Sequence, residues 1–132
     1  MTQVIELQEQ STFSRLVPKP WGHEVVFTPP GLPYAGKLLN VIGGRRLSLQ
    51  LHDRKTETLT LLSGRASLAL ENFDGVMVEF DMQPAIGYTV LPGRRHRLSA
   101  VADSVVLEAS TPEVGVTVRL DDDYRRPDEH LS

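Results

Sequence analysis

Residues 46–57 read RLSLQLHDRKTE. Side chains on an extended strand alternate between two faces, so Arg46, Ser48, Gln50 and His52 share one face and Leu47, Leu49 and Leu51 the other. Two orientations satisfy that pattern. In an ordinary half-buried strand the leucines meet the core and the polar residues meet water. In the other, the polar face lines a cavity and the leucines look outward.

The surrounding chain has the same short rhythm. Apolar runs at 37–42, 46–52, 57–63, 65–71, 76–81, 87–91, 96–101, 104–110 and 115–120 are separated by turn signals such as GG at 43–44, NFDG at 72–75 and PGRR at 92–95. Regularly spaced short strands without a helical period indicate an all-β barrel or sandwich. The stretch VPKPWGHEVVFTPPGLPYAGK, at 17–37, is dense in proline and glycine and argues against helix. We expect an N-terminal arm over 1–17, a single barrel over 18–126 and a charged tail over 127–132.

Composition narrows the function. The chain has 132 residues, 40% hydrophobic and 23% charged, with a formal charge of −3. That suits one globular domain and gives no electrostatic case for nucleic acid or an anionic membrane. With no cysteine, disulfides and thiolate metal sites are excluded. The start, MTQVIELQEQSTFSRL, lacks the basic and apolar segments of a signal peptide. No apolar run reaches the roughly 20 residues needed to cross a bilayer. A cytoplasmic location is expected.

Gln50 and His52, two apart, point the same way. Glu57 follows the DRKT turn and opens the next strand, so a hairpin returns it beside them, while His96 stands directly after PGRR. Two hairpins of an antiparallel barrel can thus bring four potential ligands to one point. Imidazole, carboxylate and amide oxygen suit zinc, iron, manganese or nickel. The other reading of these residues is a polar barrel lining without metal. Arg46, with the inward parity of Gln50 and His52, reads either as a receptor for a substrate's phosphate or carboxylate or as one half of a salt bridge. Glu108 and Arg119, among apolar neighbours in late strands, read as paired charges. Trp21 reads as packing over a barrel end.

The two hairpins resemble the paired motifs of the cupin superfamily. The first runs GRRLSLQLHDRKTETLTLLSG over 44–64 and the second GYTVLPGRRH over 87–96. KPWGHE at 19–24, YAGKLLNV at 34–41, LPGRRHRL at 91–98 and LEASTPEVGVTVRL at 107–120 look most like small single-domain cupins related to type II mannose-6-phosphate isomerase. Departures are Gln50 where many cupins have histidine, Tyr88 in place of the usual aspartate, and Arg125 where glycine is common.

The resemblance implies a jelly-roll double-stranded β-barrel holding one divalent metal ion, zinc first and manganese, iron or nickel as alternatives, on Gln50, His52, Glu57 and His96. It implies aldose–ketose isomerisation of a sugar phosphate, with Arg46 and Arg97 binding the phosphate and Lys37, Glu108 or a metal-bound hydroxide moving the proton. A metal-dependent oxygenase or lyase and a non-catalytic sugar-binding cupin are the alternatives. Outward leucines at 47, 49 and 51 would need covering, so a homodimer is expected.

Overall fold

Where every second residue is apolar or tightly paired, the chain is extended. A computed structural model describes residues 11–131. Its twelve strands are β1 (Arg15–Lys19), β2 (Gly22–Val26), β3 (Ala35–Val41), β4 (Leu49–His52), β5 (Glu57–Ser63) and β6 (Ala66–Glu71), then β7 (Met77–Asp81), β8 (Gly87–Val90), β9 (His96–Ala100), β10 (Ser104–Ser110), β11 (Gly115–Asp121) and β12 (Glu129–Leu131). Among the described residues no helix is long and apolar enough to cross a membrane.

The strands form two six-stranded sheets, ordered β1-β2-β3-β10-β5-β8 and β12-β11-β4-β9-β6-β7. Every pairing of neighbouring strands is antiparallel. This is the expected all-β jelly-roll barrel. All nine apolar runs read from the sequence carry a strand. Three strands were not foreseen. β1 and β2 lie in the proline-rich stretch, and β1 straddles the expected boundary at 17/18. Part of the expected tail, β12, pairs with β11. Pro18 is tolerated because β1 is an edge strand, where the missing N–H removes no ladder bond.

Alternation places the core and the site at two ends of one interior. In β5, Glu57, Leu59 and Leu61 are buried; in β10, Ser104, Val106, Glu108 and Ser110 are buried; in β3, Lys37, Leu39 and Val41 are buried. Leu39, Val41, Leu61 and Val106 pack with Trp21, Leu68 and Leu98 in an apolar cluster. Burying a side chain of that size contributes about 1.5–3 kcal/mol. The other inward positions, Lys37, Glu57 and Glu108, carry charge and meet His52 and His96 from the opposite sheet across a cavity of about 300 Å³.

Two glycine turns hold the histidine strands in place. Gly93, at φ +79°, leaves its N–H to donate to His52 O at 2.7 Å, which ties the turn before His96 to the end of β4. Gly115 has φ +85°, and a Cβ there would stand 2.1 Å from Asp53 Oδ1. That carboxylate accepts the Val116 N–H at 2.7 Å and fixes the register of Thr117 opposite His52.

The alternation of the opening stretch breaks once. Opposite β4, Gln50 pairs with Arg119 but Leu49 pairs with Asp121, leaving Leu120 as an extra residue. Such a bulge bends β11, the strand that carries the extra residue. Regular strand begins only at Leu49, and Arg46 meets Ser99 through an isolated bridge. Leu47 turns inward and packs on the core. The outward leucine face therefore shrinks to Leu49 and Leu51, both half-buried, and the three-leucine surface expected to demand a partner subunit does not form.

Candidate metal centre

Three pairings of the second sheet set out the site side by side. Thr117 lies opposite His52, Arg119 opposite Gln50, and Gln50 opposite His96. The first sheet faces them with Glu57, at the start of β5. His52, Glu57 and His96 are all buried, and one potential ligand atom from each lies within 4.8 Å of the others. Glu57 Oε1 is 3.0 Å from His96 Nε2 and 3.5 Å from His52 Nε2. Gln50 Nε2 stands 3.5 Å from both ring nitrogens. All four residues expected to converge do so.

The protonation pattern shows what the cluster accepts. His96 Nδ1 lies 3.0 Å from Arg94 O, a carbonyl that only accepts. In the neutral ring the proton therefore sits on Nδ1, and Nε2 turns a lone pair toward the Glu57 carboxylate. His52 Nδ1 is held by Thr117 Oγ1 at 2.9 Å, which orients its Nε2 to the same point. Electron pairs converging on one spot repel unless a proton or a cation lies between them. Two imidazoles and a carboxylate, each oriented through its other side, are the donor set of a divalent metal site. Gln50 adds a fourth donor when its amide turns Oε1 toward the cluster; at present Oε1 accepts from Ser48 Oγ at 2.6 Å.

Behind Glu57 lies a network of buried charge. Lys55 is 5% exposed. Its Nζ lies 3.3 Å from Glu57 Oε2, 2.9 Å from Glu108 Oε2 and 2.8 Å from Glu113 Oε1. Lys37 Nζ pairs with the same Glu113 oxygen and lies 3.7 Å from Glu24 Oε2. Burial tends to raise the Glu57 pKa, but the Lys55 charge above all holds it well below the carboxylate range. Glu113, opposed by burial in the same way, is drawn down to about 2 by Lys55 and Lys37. Glu108 goes the other way. Burial first, then the charge of Glu57, push it up to about 7 against the pull of the two lysines.

Of the residues expected to act on substrate, Lys37 and Glu108 line the cavity and Arg46 and Arg97 do not. Arg46 is a correction. It precedes the regular part of β4 and points outward, where its side chain is 44% exposed. Its guanidinium grips Asp123 through Nε at 2.8 Å and Nη2 at 2.9 Å. Arg97 is directed away from His96 by strand parity. It donates to Leu47 O at 3.0 Å and pairs with Asp121 at 2.9 Å. Lys37 is kept protonated: burial pulls its pKa down most strongly, but Glu108, Glu113 and Glu24 together raise it above its ordinary value. It serves as a fixed cation.

Sequence reasoning missed Lys55, Glu113 and Thr117. Lys55 had a signal, since it shares the parity of Glu57 two residues on. Thr117 becomes visible only with the β4–β11 register. Glu113 enters from the TPEVG loop, where no period applies.

Fold and site together define a cupin-type barrel with a His/His/Glu cluster suited to a metal ion. No protein-family model matches the chain, and no curated protein matches it in sequence. Solved structures do match in fold. KdgF from Halomonas sp. superposes with a TM-score of 0.62 at 16% identity, over 75% of this chain and 86% of that one. Oxalate decarboxylase of Bacillus subtilis, a protein with Mn(II) centres, gives 0.63 at 14% identity, over 74% of this chain and 27% of that one. The capsular polysaccharide assembling protein CapF from Staphylococcus aureus gives 0.61 at 12%, over 95% and 34%. The chain thus spans most of KdgF but about a third of the other two. These likenesses establish the cupin fold; the narrower likeness to type II mannose-6-phosphate isomerase rests on sequence motifs alone.

Proposed function

We propose that this chain is a metal-dependent enzyme that shifts a proton between adjacent carbons of a small anionic hydroxy-carbonyl compound, as an aldose–ketose isomerase of sugar phosphates does. The observation that carries this reading is Glu108, a buried carboxylate with its pKa pushed up to about 7, lining the same cavity as the histidine cluster. A base with a pKa near the working pH combines a usable unprotonated fraction with a strong enough pull on the proton. Carbohydrate work by one protein of this fold, the capsular polysaccharide assembling protein, agrees with such a substrate.

Gln50, His52, Glu57 and His96 would hold the ion. Bound there, a divalent metal supplies Lewis acidity that polarises a carbonyl oxygen and makes the neighbouring C–H more acidic. Zinc is the ion we put first, and the same donors accept manganese, iron or nickel. Glu108 takes the proton from the carbon beside the carbonyl and returns it to the former carbonyl carbon, while a hydroxyl proton passes between the two oxygens. Lys55, touching Glu57 and Glu108 at once, keeps both carboxylates in position. Lys37, fixed by Glu113 and Glu24, offers positive charge to the substrate's oxygens.

Elemental analysis of the purified protein, followed by anaerobic turnover of mannose 6-phosphate and fructose 6-phosphate with the metal retained, tests the reading. We expect one metal ion per chain, interconversion without oxygen, and a fall in kcat of about 10²–10⁴ in Glu108→Gln. Bound iron with substrate-dependent oxygen uptake would refute the isomerase in favour of an oxygenase.

A further inference from the structure

Among the described residues, Arg119 is the cavity-lining arginine that lies beside the His/His/Glu cluster in the strand register. It sits opposite Gln50 on β11 and two residues from Thr117, which holds His52. Directly paired positions in a sheet bring Cβ atoms to about 5 Å, so Arg119 is the neighbour of the cluster on the β11 side, as His96 is on the β9 side. Its side chain is only 10% exposed. Nη1 donates to Pro127 O, and Nη2 lies 3.0 Å from Glu129 Oε2. Nε is buried and has no hydrogen-bond partner among the described residues.

A guanidinium offers Nε and Nη2 along one edge, a fork that matches two oxygens of a carboxylate or phosphate. Here that edge is half used. Glu129 touches Nη2 alone, from a three-residue edge strand, with its own side chain 40% exposed. A single contact to a half-exposed carboxylate holds the guanidinium weakly, whereas a buried N–H without a partner is costly. An incoming oxyanion that displaces Glu129 and takes both nitrogens satisfies the free donor and loses little in exchange.

We infer that Arg119 is the receptor for the substrate's oxyanion, a carboxylate or phosphate group, and that Glu129 is a built-in competitor occupying the place until substrate arrives. This deepens the proposed function and rests on its metal-site reading for the second anchor. It moves anion recognition from Arg46 and Arg97, which face away from the cavity, to a residue adjacent to the ligands. A small substrate anchored at the cluster therefore presents its anionic group toward β11.

Isothermal titration of zinc-loaded and zinc-free full-length protein with glycolate, inorganic phosphate and the neutral analogue glycolamide tests this. We expect at least one oxyanion to bind ten-fold or more tighter than glycolamide. Arg119→Met should abolish that preference with zinc content unchanged, and Arg119→Lys should restore part of it. Glu129→Gln should tighten oxyanion binding several-fold, an effect that a purely structural arginine does not produce and that needs no change at Arg119. Stronger binding of glycolate assigns a carboxylate; stronger binding of phosphate assigns a phosphate group. Oxyanion affinity unchanged in Arg119→Met, or weakened in Glu129→Gln, overturns the inference. Failure to take up zinc removes the metal reading alone, because Arg119-dependent anion binding by zinc-free protein still supports the receptor.

Discussion

Lys55→Met is the sharpest test of the interior network. The methionine keeps most of the side-chain volume but removes the ammonium from among Glu57, Glu108 and Glu113, whose oxygens lie at 3.3, 2.9 and 2.8 Å. At an effective dielectric near 20, one such contact at about 3 Å is worth roughly 5 kcal/mol of Coulomb energy. Desolvation of the ammonium takes back several kcal/mol, and mutual repulsion of the carboxylates was already present. Removing one partner of a buried charge pair costs about 3–5 kcal/mol in total. With ΔG of unfolding typically about 5–15 kcal/mol, the variant should still fold.

The assay is urea unfolding of metal-free protein at pH 7.5. For a urea slope of about 2 kcal/mol/M, the midpoint should fall by roughly 2 M. Acidification should narrow the gap. Glu108 is held near pKa 7 even with Lys55 beside it, and losing that cation raises it further, so Glu108 in the variant protonates readily and sheds part of the uncompensated charge. A loss below about 1 kcal/mol, the scale of an exposed pair, would refute the buried-clamp argument. So would a deficit that grows toward pH 5.5.

Three further outcomes are expected. Thr117→Val removes the hydroxyl at His52 Nδ1 and should weaken zinc affinity by about 10–100-fold, read by competition with a chromophoric chelator; unchanged affinity would show that the hydroxyl does not orient the ring. Arg46→Ala breaks a pair exposed on both sides, so stability should change by under about 1 kcal/mol, with zinc content and oxyanion affinity unaltered. For Glu108→Gln the pH dependence is decisive. A carboxyl whose folded pKa is raised contributes stability that is fully present below its ordinary value near 4.5 and is lost as pH rises through about 7. The wild-type advantage over Glu108→Gln in metal-free protein should therefore fall by about 3 kcal/mol between pH 4.5 and pH 8, and a flat difference would contradict the raised pKa.

What the sequence reveals and what it hides follow one physical line. β5 and β10 were legible because period two holds from end to end, and Glu57 and Glu108 stand at inward positions of that period. Gln50, His52 and His96 were legible for the same reason, each next to a turn that returns the chain. Arg46 was misread because regular strand begins only at Leu49, so the period-two parity of Gln50 and His52 does not extend back to residue 46. β1 and β2 were hidden because proline signals irregular chain unless the strand is known to lie at an edge. Arg119 was read as a paired charge, and it is paired at two of its three nitrogens. The free third one depends on the path of residues 127–129, which no local pattern announces.

The distribution of buried charge supports a working site over a structural one. A buried ion network stabilises a fold no better than apolar side chains of equal volume, and often less well. This interior shows both solutions at once. One end is filled by Leu39, Val41, Leu61, Leu68, Leu98 and Val106, so the barrel can be packed apolar where nothing else is required. The same strands then place Lys37, Glu57 and Glu108 at their remaining inward positions, facing Gln50, His52 and His96. The division also separates tasks between the sheets. β4 and β9 supply Gln50, His52 and His96, held from behind by Thr117 of β11, Ser48 and the Arg94 carbonyl. β3, β5 and β10 supply charge, balanced by Lys55 from the loop between β4 and β5. Glu57 alone belongs to both arrangements, with Oε1 on the histidines and Oε2 on Lys55. Any ion accepted by the histidines would therefore change the field felt by Glu108, and in the proposed function that one carboxylate couples the ion to the group that carries the proton.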